Sequence, residues 1–318
     1  MTTLAIVVPC NEEEVLPETI HRLLALLEWL IEKCKIDRAS RVYFVDDGSQ
    51  DRTWALIESS VAEGRPVVGI KLSRNYGHQN AVVAGLFSAA GDAIVSTDAD
   101  LQDDLNAIEV KVDRFHEGCE VDYGVRRSRE TDMFFKRYTA ESFYRLIKAL
   151  SAETVFNHAD YRLLSRRAVE SLREYPEVNL FLRGIIPLIG YKSATVDYDR
   201  SVRCAGQSKY PLHKMRALAL ETPISFSLVP MHVIGLLDIL MFFGSIAVTA
   251  WAAWVALFTE RAILGWASTV LPLYFLGGIQ LLCLGVIGEY VGKAYLETKR
   301  RPRYFIERVA EGKEIPVA

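Results

Sequence analysis

Two aspartates separated by a single alanine, Asp98-Ala99-Asp100, close the strand-like run Ala93-Ile94-Val95-Ser96-Thr97. Carboxylates beside apolar residues are costly unless something cationic compensates them. A divalent metal carrying the phosphates of a nucleotide is one such partner. Hard oxygen donors on one short loop suit Mg2+ or Mn2+, which share their shell with waters and substrate phosphates. Taken alone, the tripeptide also fits a solvated turn or a helix cap. The elements that carry it decide between these readings.

Those elements alternate. Leu4 to Val8 is a short continuous apolar run, the mark of a strand covered on both faces. Helical periodicity follows at Leu16, Ile20, Leu23, Leu24, Leu27 and Ile31. Arg41 to Val45 reads as a second strand, Thr53 to Ala62 as a helix stopped by Gly64, and Pro66 to Leu72 as a third strand. Gln79 to Ala90 then reads as a helix and Ala93 to Thr97 as a fourth strand. Such alternation predicts an α/β, Rossmann-like fold with a mostly parallel sheet, whose ligands lie beyond the carboxyl ends of the strands. Four polar clusters sit at those ends: Pro9-Cys10-Asn11-Glu12, Asp46-Asp47-Gly48-Ser49, Ser73-Arg74-Asn75 and Asp98-Ala99-Asp100. Together they predict a nucleotide site. No G-x-G-x-x-G follows the first strand and no Walker A sequence occurs, so neither a dinucleotide fold nor a P-loop explains the pattern.

Composition narrows the class. A net charge of −3 over 318 residues argues against a nucleic-acid binder. Five scattered cysteines form no CxxC pair, which fits a reducing compartment. No Asp, Glu, Lys or Arg occurs from Ile239 to Phe258 or from Ile263 to Gly288. Each stretch is long enough to cross a hydrocarbon core of about 30 Å, so two transmembrane helices are expected, over 229–258 and 263–292. Lys209, Lys214 and Arg216 precede the first, and Lys299, Arg300, Arg301 and Arg303 follow the second, which puts both termini in the cytoplasm. Residues 1–209 then form a cytoplasmic domain, 210–228 an amphipathic helix at the interface, and 293–318 a cytoplasmic tail.

The chain resembles a known family. Val7-Val8-Pro9-Cys10-Asn11-Glu12-Glu13, Val45-Asp46-Asp47-Gly48-Ser49, Asn75-Tyr76-Gly77-His78-Gln79 and Asp98-Ala99-Asp100-Leu101-Gln102-Asp103 look like the inverting GT-A glycosyltransferases of family 2. Asp160-Tyr161-Arg162-Leu163-Leu164-Ser165, Arg203 to Tyr210, Gly288 to Lys293 and Lys299 to Tyr304 extend the likeness to the polyprenyl-phosphate glycosyltransferases, the bactoprenol glucosyltransferases and dolichyl-phosphate mannose synthases among them. One departure is visible. Asp103 is followed by Asp104-Leu105 where a Pro-Glu pair is expected, which touches the start of the next helix and not the metal ligands.

The resemblance implies a GT-A catalytic domain that transfers a sugar from a nucleotide-sugar to the phosphate of a membrane polyprenol, with inversion. It implies that Asp100, Gln102 and Asp98 hold Mg2+ or Mn2+ on the diphosphate, and that Pro9, Asn11, Glu12 and Asp46 line the nucleoside alongside Asp98. Glu13 and Glu14 read as a solvated first helical turn. Asp160 is the implied catalytic base, with an ion pair to Arg162 or Arg166 as its alternative role. Guanidinium forks match phosphate oxygens, so Arg126, Arg137, Arg203, Ser208 and Lys209 are expected on the lipid phosphate.

UDP-glucose is the expected donor and undecaprenyl phosphate the expected acceptor, in the bacterial inner membrane. Small residues at Gly277-Gly278, Gly285 and Gly288 point to helix packing in a homo-oligomer, of which a tetramer is one form. The alternatives are transfer of mannose or a modified sugar and, from a different class, a membrane-anchored nucleotide-sugar binding protein without turnover. A processive synthase is disfavoured, because no Arg-Trp pair occurs.

Overall fold

In the computed structural model the described residues are 1–11, 13–126, 158–177, 182–198 and 266–312, with a few single residues between 234 and 258. The chain divides into two compact units. One comprises Met1–Ser142, Glu153–Lys209 and Arg300–Ala318, the other Phe143–Ala152 and Tyr210–Lys299.

The first unit is built on an eight-stranded sheet. Its strands are β1 (Leu4–Cys10), β2 (Arg41–Asp46), β3 (Val67–Leu72), β4 (Ala93–Ser96), β5 (Val121–Arg126), β6 (His158–Ser165), β7 (Ser193–Tyr198) and β8 (Ile306–Glu311). The spatial order is β7-β5-β6-β4-β1-β2-β3-β8. The β4-β1-β2-β3 core and the β5-β7 pair are parallel, while β6 runs antiparallel to β4 and β5, and β8 antiparallel to β3. Between the strands lie α1 (Leu16–Glu32), α2 (Thr53–Ala62), α3 (His78–Ser88), α4 (Ala107–His116), α5 (Arg166–Arg173) and α6 (Leu182–Leu188).

The expected α/β architecture is the observed one. Every residue of β1 is buried, as a strand covered on both faces must be. The apolar stripe read in the sequence is the buried face of α1, with Leu16, Ile20, Leu23, Leu27 and Leu30 packed in the core. Each fully buried leucine contributes roughly 1.5–3 kcal/mol relative to exposure.

Two features differ from expectation. The next helix after the aspartate loop starts only at Ala107, because Asp104 turns the chain first, its Oδ1 accepting from the Asn106 amide at 3.0 Å. The C-terminal segment is not a plain tail. It returns as edge strand β8, anchored by ion pairs of Lys71 with Glu307 and Arg41 with Glu311, both at 3.3 Å, and of Arg308 with Glu58 at 3.0 Å. Charged side chains on an edge strand also discourage further strand addition.

In the second unit the described residues form one long helix, α7 (Trp266–Thr298), which runs past residue 292. Among the described residues, Leu276–Thr298 is the one helical stretch long and apolar enough to cross a membrane, with a mean hydropathy of 1.2. The expected interfacial helix 210–228 and nearly all of the expected span 229–258 lie outside the described residues.

Candidate active site

The parallel core strands end level, with Cys10 opposite Asp46. Their carboxyl ends therefore present the loops after β1, β2, β3 and β4 along one edge. The loop after β2 is the most tightly built. Asp46 is fully buried. Its Oδ1 accepts from the Ser49 amide at 2.9 Å and from the Ser49 hydroxyl, while Oδ2 is buried without a hydrogen-bond partner among the described residues. Asp47 accepts from the Tyr76 amide at 2.7 Å and the Gly77 amide at 3.0 Å, which ties the loop after β3 to the loop after β2. Burial raises the Asp47 pKa, and those two amide bonds pull against the rise.

Gly48 makes this contact possible. It has φ of +68°, and a Cβ there would lie 2.3 Å from the Arg74 carbonyl carbon. On the other side, Glu13 and Asp51 brace one another's loops. The Glu13 amide donates to Asp51 Oδ2 at 3.2 Å, and the Arg52 amide donates to Glu13 Oε2 at 2.7 Å. Glu13 is thus a loop brace, not the solvated first helical turn expected of it, because α1 begins only at Leu16.

The loop after β4 carries the Asp-x-Asp pair. The Thr97 amide donates to Val7 at 3.1 Å, and the Thr19 hydroxyl of α1 donates to the Ala99 carbonyl at 2.8 Å. Leu101 sits at φ +55° with its side chain buried, an uncommon conformation for a branched residue. The Gln102 amide donates to Asp100 Oδ1 at 3.2 Å. Asp98 lies 3.4 Å from His78 Nε2, at the start of α3. Burial raises the Asp98 pKa. His78 opposes that rise, and Asp103, Asp100 and Asp160 add to it. Four carboxylates, those of Asp98, Asp100, Asp103 and Asp160, thus lie close enough to act on one another.

Asp160 enters from β6. The last paired position of the β4–β6 ladder sets Ser96 opposite Arg162, so continuing that register brings Asp160 opposite Asp98. The Ser96 hydroxyl donates to the Asp160 carbonyl at 2.8 Å and closes this corner. The Asp160 carboxylate meets Arg162 Nη2 at 2.5 Å and Arg183 Nη2 at 2.9 Å. Burial alone would raise its pKa, yet the two guanidinium groups hold it well below the usual carboxylate range. Arg162 is itself buried, and its Nε and Nη1 have no hydrogen-bond partner among the described residues. Of the two ion-pair partners considered from the sequence, Arg162 is the one found. Arg166 instead donates to the carbonyls of Gly91 and Ala89.

The structure thus brings together Asp98, Asp100, Gln102 and Asp160, and sets Pro9, Asn11 and Asp46 at the neighbouring strand ends. Arg126 closes β5 opposite Tyr198. Glu12, Arg137, Arg203, Ser208 and Lys209 lie outside the described residues. Sequence reasoning gave no role to Asp47, His78, Asp103 or Arg183. Asp47 and His78 stood inside quoted motifs, while Arg183 carried no local signal.

Among the described residues, no three His, Cys, Asp or Glu side chains form a closed metal cage. Two carboxylates and a side-chain amide on one short loop, Asp98, Asp100 and Gln102, are hard oxygen donors of the kind that bind Mg2+ or Mn2+ together with substrate phosphates.

The model described as "Glycosyl transferase family 2" matches residues 5–173 of this chain. The uncharacterized glycosyltransferase YkoT of Bacillus subtilis is 50% identical over 307 residues, covering 96% of this chain and 91% of its own. The prophage bactoprenol glucosyl transferase homolog of Escherichia coli is 36% identical, covering 96% of this chain and 99% of its own. The bactoprenol glucosyl transferase of Shigella phage SfII is 35% identical, covering 97% and 99%.

Proposed function

We infer the reaction from one premise: this chain belongs to glycosyl transferase family 2. It is a glycosyltransferase, and on our reading its acceptor is the phosphate of a polyprenol, undecaprenyl phosphate. The likeness along nearly the whole chain to proteins named bactoprenol glucosyl transferases supports this acceptor, and glucose from UDP-glucose as the first donor to test. The observation that carries the reading is the meeting of the Asp98–Asp100 loop with an arginine-clamped Asp160 where the carboxyl end of β4 meets the amino end of β6.

Asp98, Asp100 and Gln102 would hold Mg2+ or Mn2+, which when bound offsets charge on the departing diphosphate. Pro9, Asn11, Glu12 and Asp46 line the nucleoside. The unpartnered, buried Oδ2 of Asp46 supports that role, since a base or ribose donor would satisfy it.

A phosphate monoester has a second pKa near about 6 and is largely dianionic at neutral pH, so it needs no strong base. Asp160, fixed in its ionised form, would be a poor proton acceptor. Its role on this reading is to hold Arg162 and Arg183 in place. The lipid phosphate is gathered by Arg126, Arg137, Arg203, Ser208 and Lys209, whose donors suit phosphate oxygens. A single displacement by that phosphate inverts the anomeric carbon.

We further assign 229–258 and 263–292 as membrane spans, 210–228 as an interfacial helix, both termini to the cytoplasm and the assembly to a homo-oligomer in the bacterial inner membrane. The apolar helix Leu276–Thr298 supports the second span.

The test presents purified protein and undecaprenyl phosphate with a panel of labelled nucleotide-sugars. Label in the lipid fraction from UDP-glucose is expected. Donor binding without label reaching lipid from any donor would favour the binding protein without turnover.

A further inference from the structure

A second set of contacts holds the far end of the Asp98–Asp100 loop, and none of its members has a role in the reaction described above. Asp103 is buried and accepts a 2.6 Å hydrogen bond from the Tyr198 hydroxyl, the last residue of β7. Tyr198 packs edge-on against Tyr161, with ring centroids 5.2 Å apart. The Tyr161 hydroxyl in turn donates to the Asp104 carbonyl at 2.9 Å. Beneath that ring, 4.8 Å from its centroid, lies the ammonium of Lys111, bonded at 2.6 Å to the buried Asp122.

Residues 103 and 104 are thereby fixed from β6 and β7, over an ion pair shared by α4 and β5. Immediately upstream, Leu101 holds its positive φ. Such a conformation persists only where the surroundings impose it. The short segment bearing Asp100 and Gln102 is thus stretched between the Thr97 and Ala99 anchors on one side and the Asp103 anchor on the other.

We propose that Tyr198 and Asp103 are a positioning pair: their hydrogen bond sets the geometry in which the Asp98–Asp100 loop takes up a metal-bound nucleoside diphosphate, and Asp103 is not itself a ligand. This rests on the metal-dependent reading above. Both residues act through the loop, so metal affinity should fall in protein that is still folded.

The test uses the full-length protein in detergent and measures Mn2+ binding in the presence of UDP, from the paramagnetic signal of free Mn2+. Tyr198→Phe and Asp103→Ala should each weaken Mn2+ binding by about tenfold, the lower end of the loss seen when a metal ligand loses its outer support. The double variant should bind no more weakly than the weaker single, as expected of two groups acting through one bond. Asp103→Asn keeps an oxygen that accepts from Tyr198 and should bind Mn2+ close to wild type. Tyr198→Phe removes a donor from a buried carboxylate and lowers the melting temperature, so Mn2+ binding is compared well below the melting temperature of each variant.

Wild-type affinity in Tyr198→Phe would overturn the pairing while leaving the metal reading intact. Equal losses in Asp103→Asn and Asp103→Ala would also overturn it, because the charge and not the hydrogen bond would then matter. Failure of the wild-type protein to bind Mn2+ with UDP would remove the metal reading and this proposal together.

Discussion

Arg183 of α6 grips Asp160 of β6 by both carboxylate oxygens, with Nη2 at 2.9 Å from Oδ2 and Nε at 3.2 Å from Oδ1. With Arg162 on the same carboxylate, this keeps Asp160 ionised. A depressed folded-state pKa contributes stability above the unfolded value of about 3.9, and that contribution is lost only as pH falls toward the folded value. Between about pH 5 and 8, therefore, neither kcat nor stability should carry a titration from Asp160. A pH–rate profile checks this. An acid limb in wild type that disappears in Asp160→Asn would contradict it.

The three members of this cluster should respond unequally to truncation. Asp160→Ala strands the guanidinium of Arg162, whose side chain is only 2% exposed, and should cost about 3–5 kcal/mol. Arg183 is 38% exposed, so Arg183→Ala should cost less than about 1 kcal/mol of stability. Urea unfolding of the purified variants measures the difference. Equal losses would mean that burial is not what sets the energetics.

The Lys111–Asp122 pair is enclosed, with side chains 0% and 1% exposed. Lys111→Ala alone leaves a buried carboxylate and should cost about 3–5 kcal/mol, whereas the double change Lys111→Met with Asp122→Leu should be near neutral. Melting temperatures of both variants test this.

Gly48→Ala should disable donor binding. The residue needs a positive φ, and the new Cβ would fall 2.4 Å from the Asn75 amide nitrogen, forcing apart the two loops that Asp47 joins. A loss above about 1 kcal/mol in stability is expected, together with weakened nucleotide binding by calorimetry. Unchanged nucleotide affinity would show that the close approach of these loops is not part of the site.

The parallel core was legible because its signals are local. Buried strands read as continuous apolar runs, and α2 ends at Ala62 just before Gly64, at φ +73°. The polar clusters at strand ends were legible for the same reason. What the sequence hid is non-local. Arg183 reaches Asp160 across 23 residues, and Tyr198 reaches Asp103 across 95. No periodicity announces either pair. Strand β8 was hidden too, because Ile306-Glu307-Arg308-Val309-Ala310-Glu311 alternates weakly and meets its partner β3 only after the long apolar helix has intervened.

The central claim, that the Asp98–Asp100 loop serves sugar transfer onto a lipid phosphate, is tested most directly by following label from UDP-glucose into undecaprenyl phosphate. Wild-type protein with Mn2+ should label the lipid, chelator should abolish the signal, and Asp100→Ala should lower turnover by about 10²-fold or more. Labelling that persists undiminished in Asp100→Ala, or label that never reaches the lipid from any nucleotide-sugar, would contradict the account.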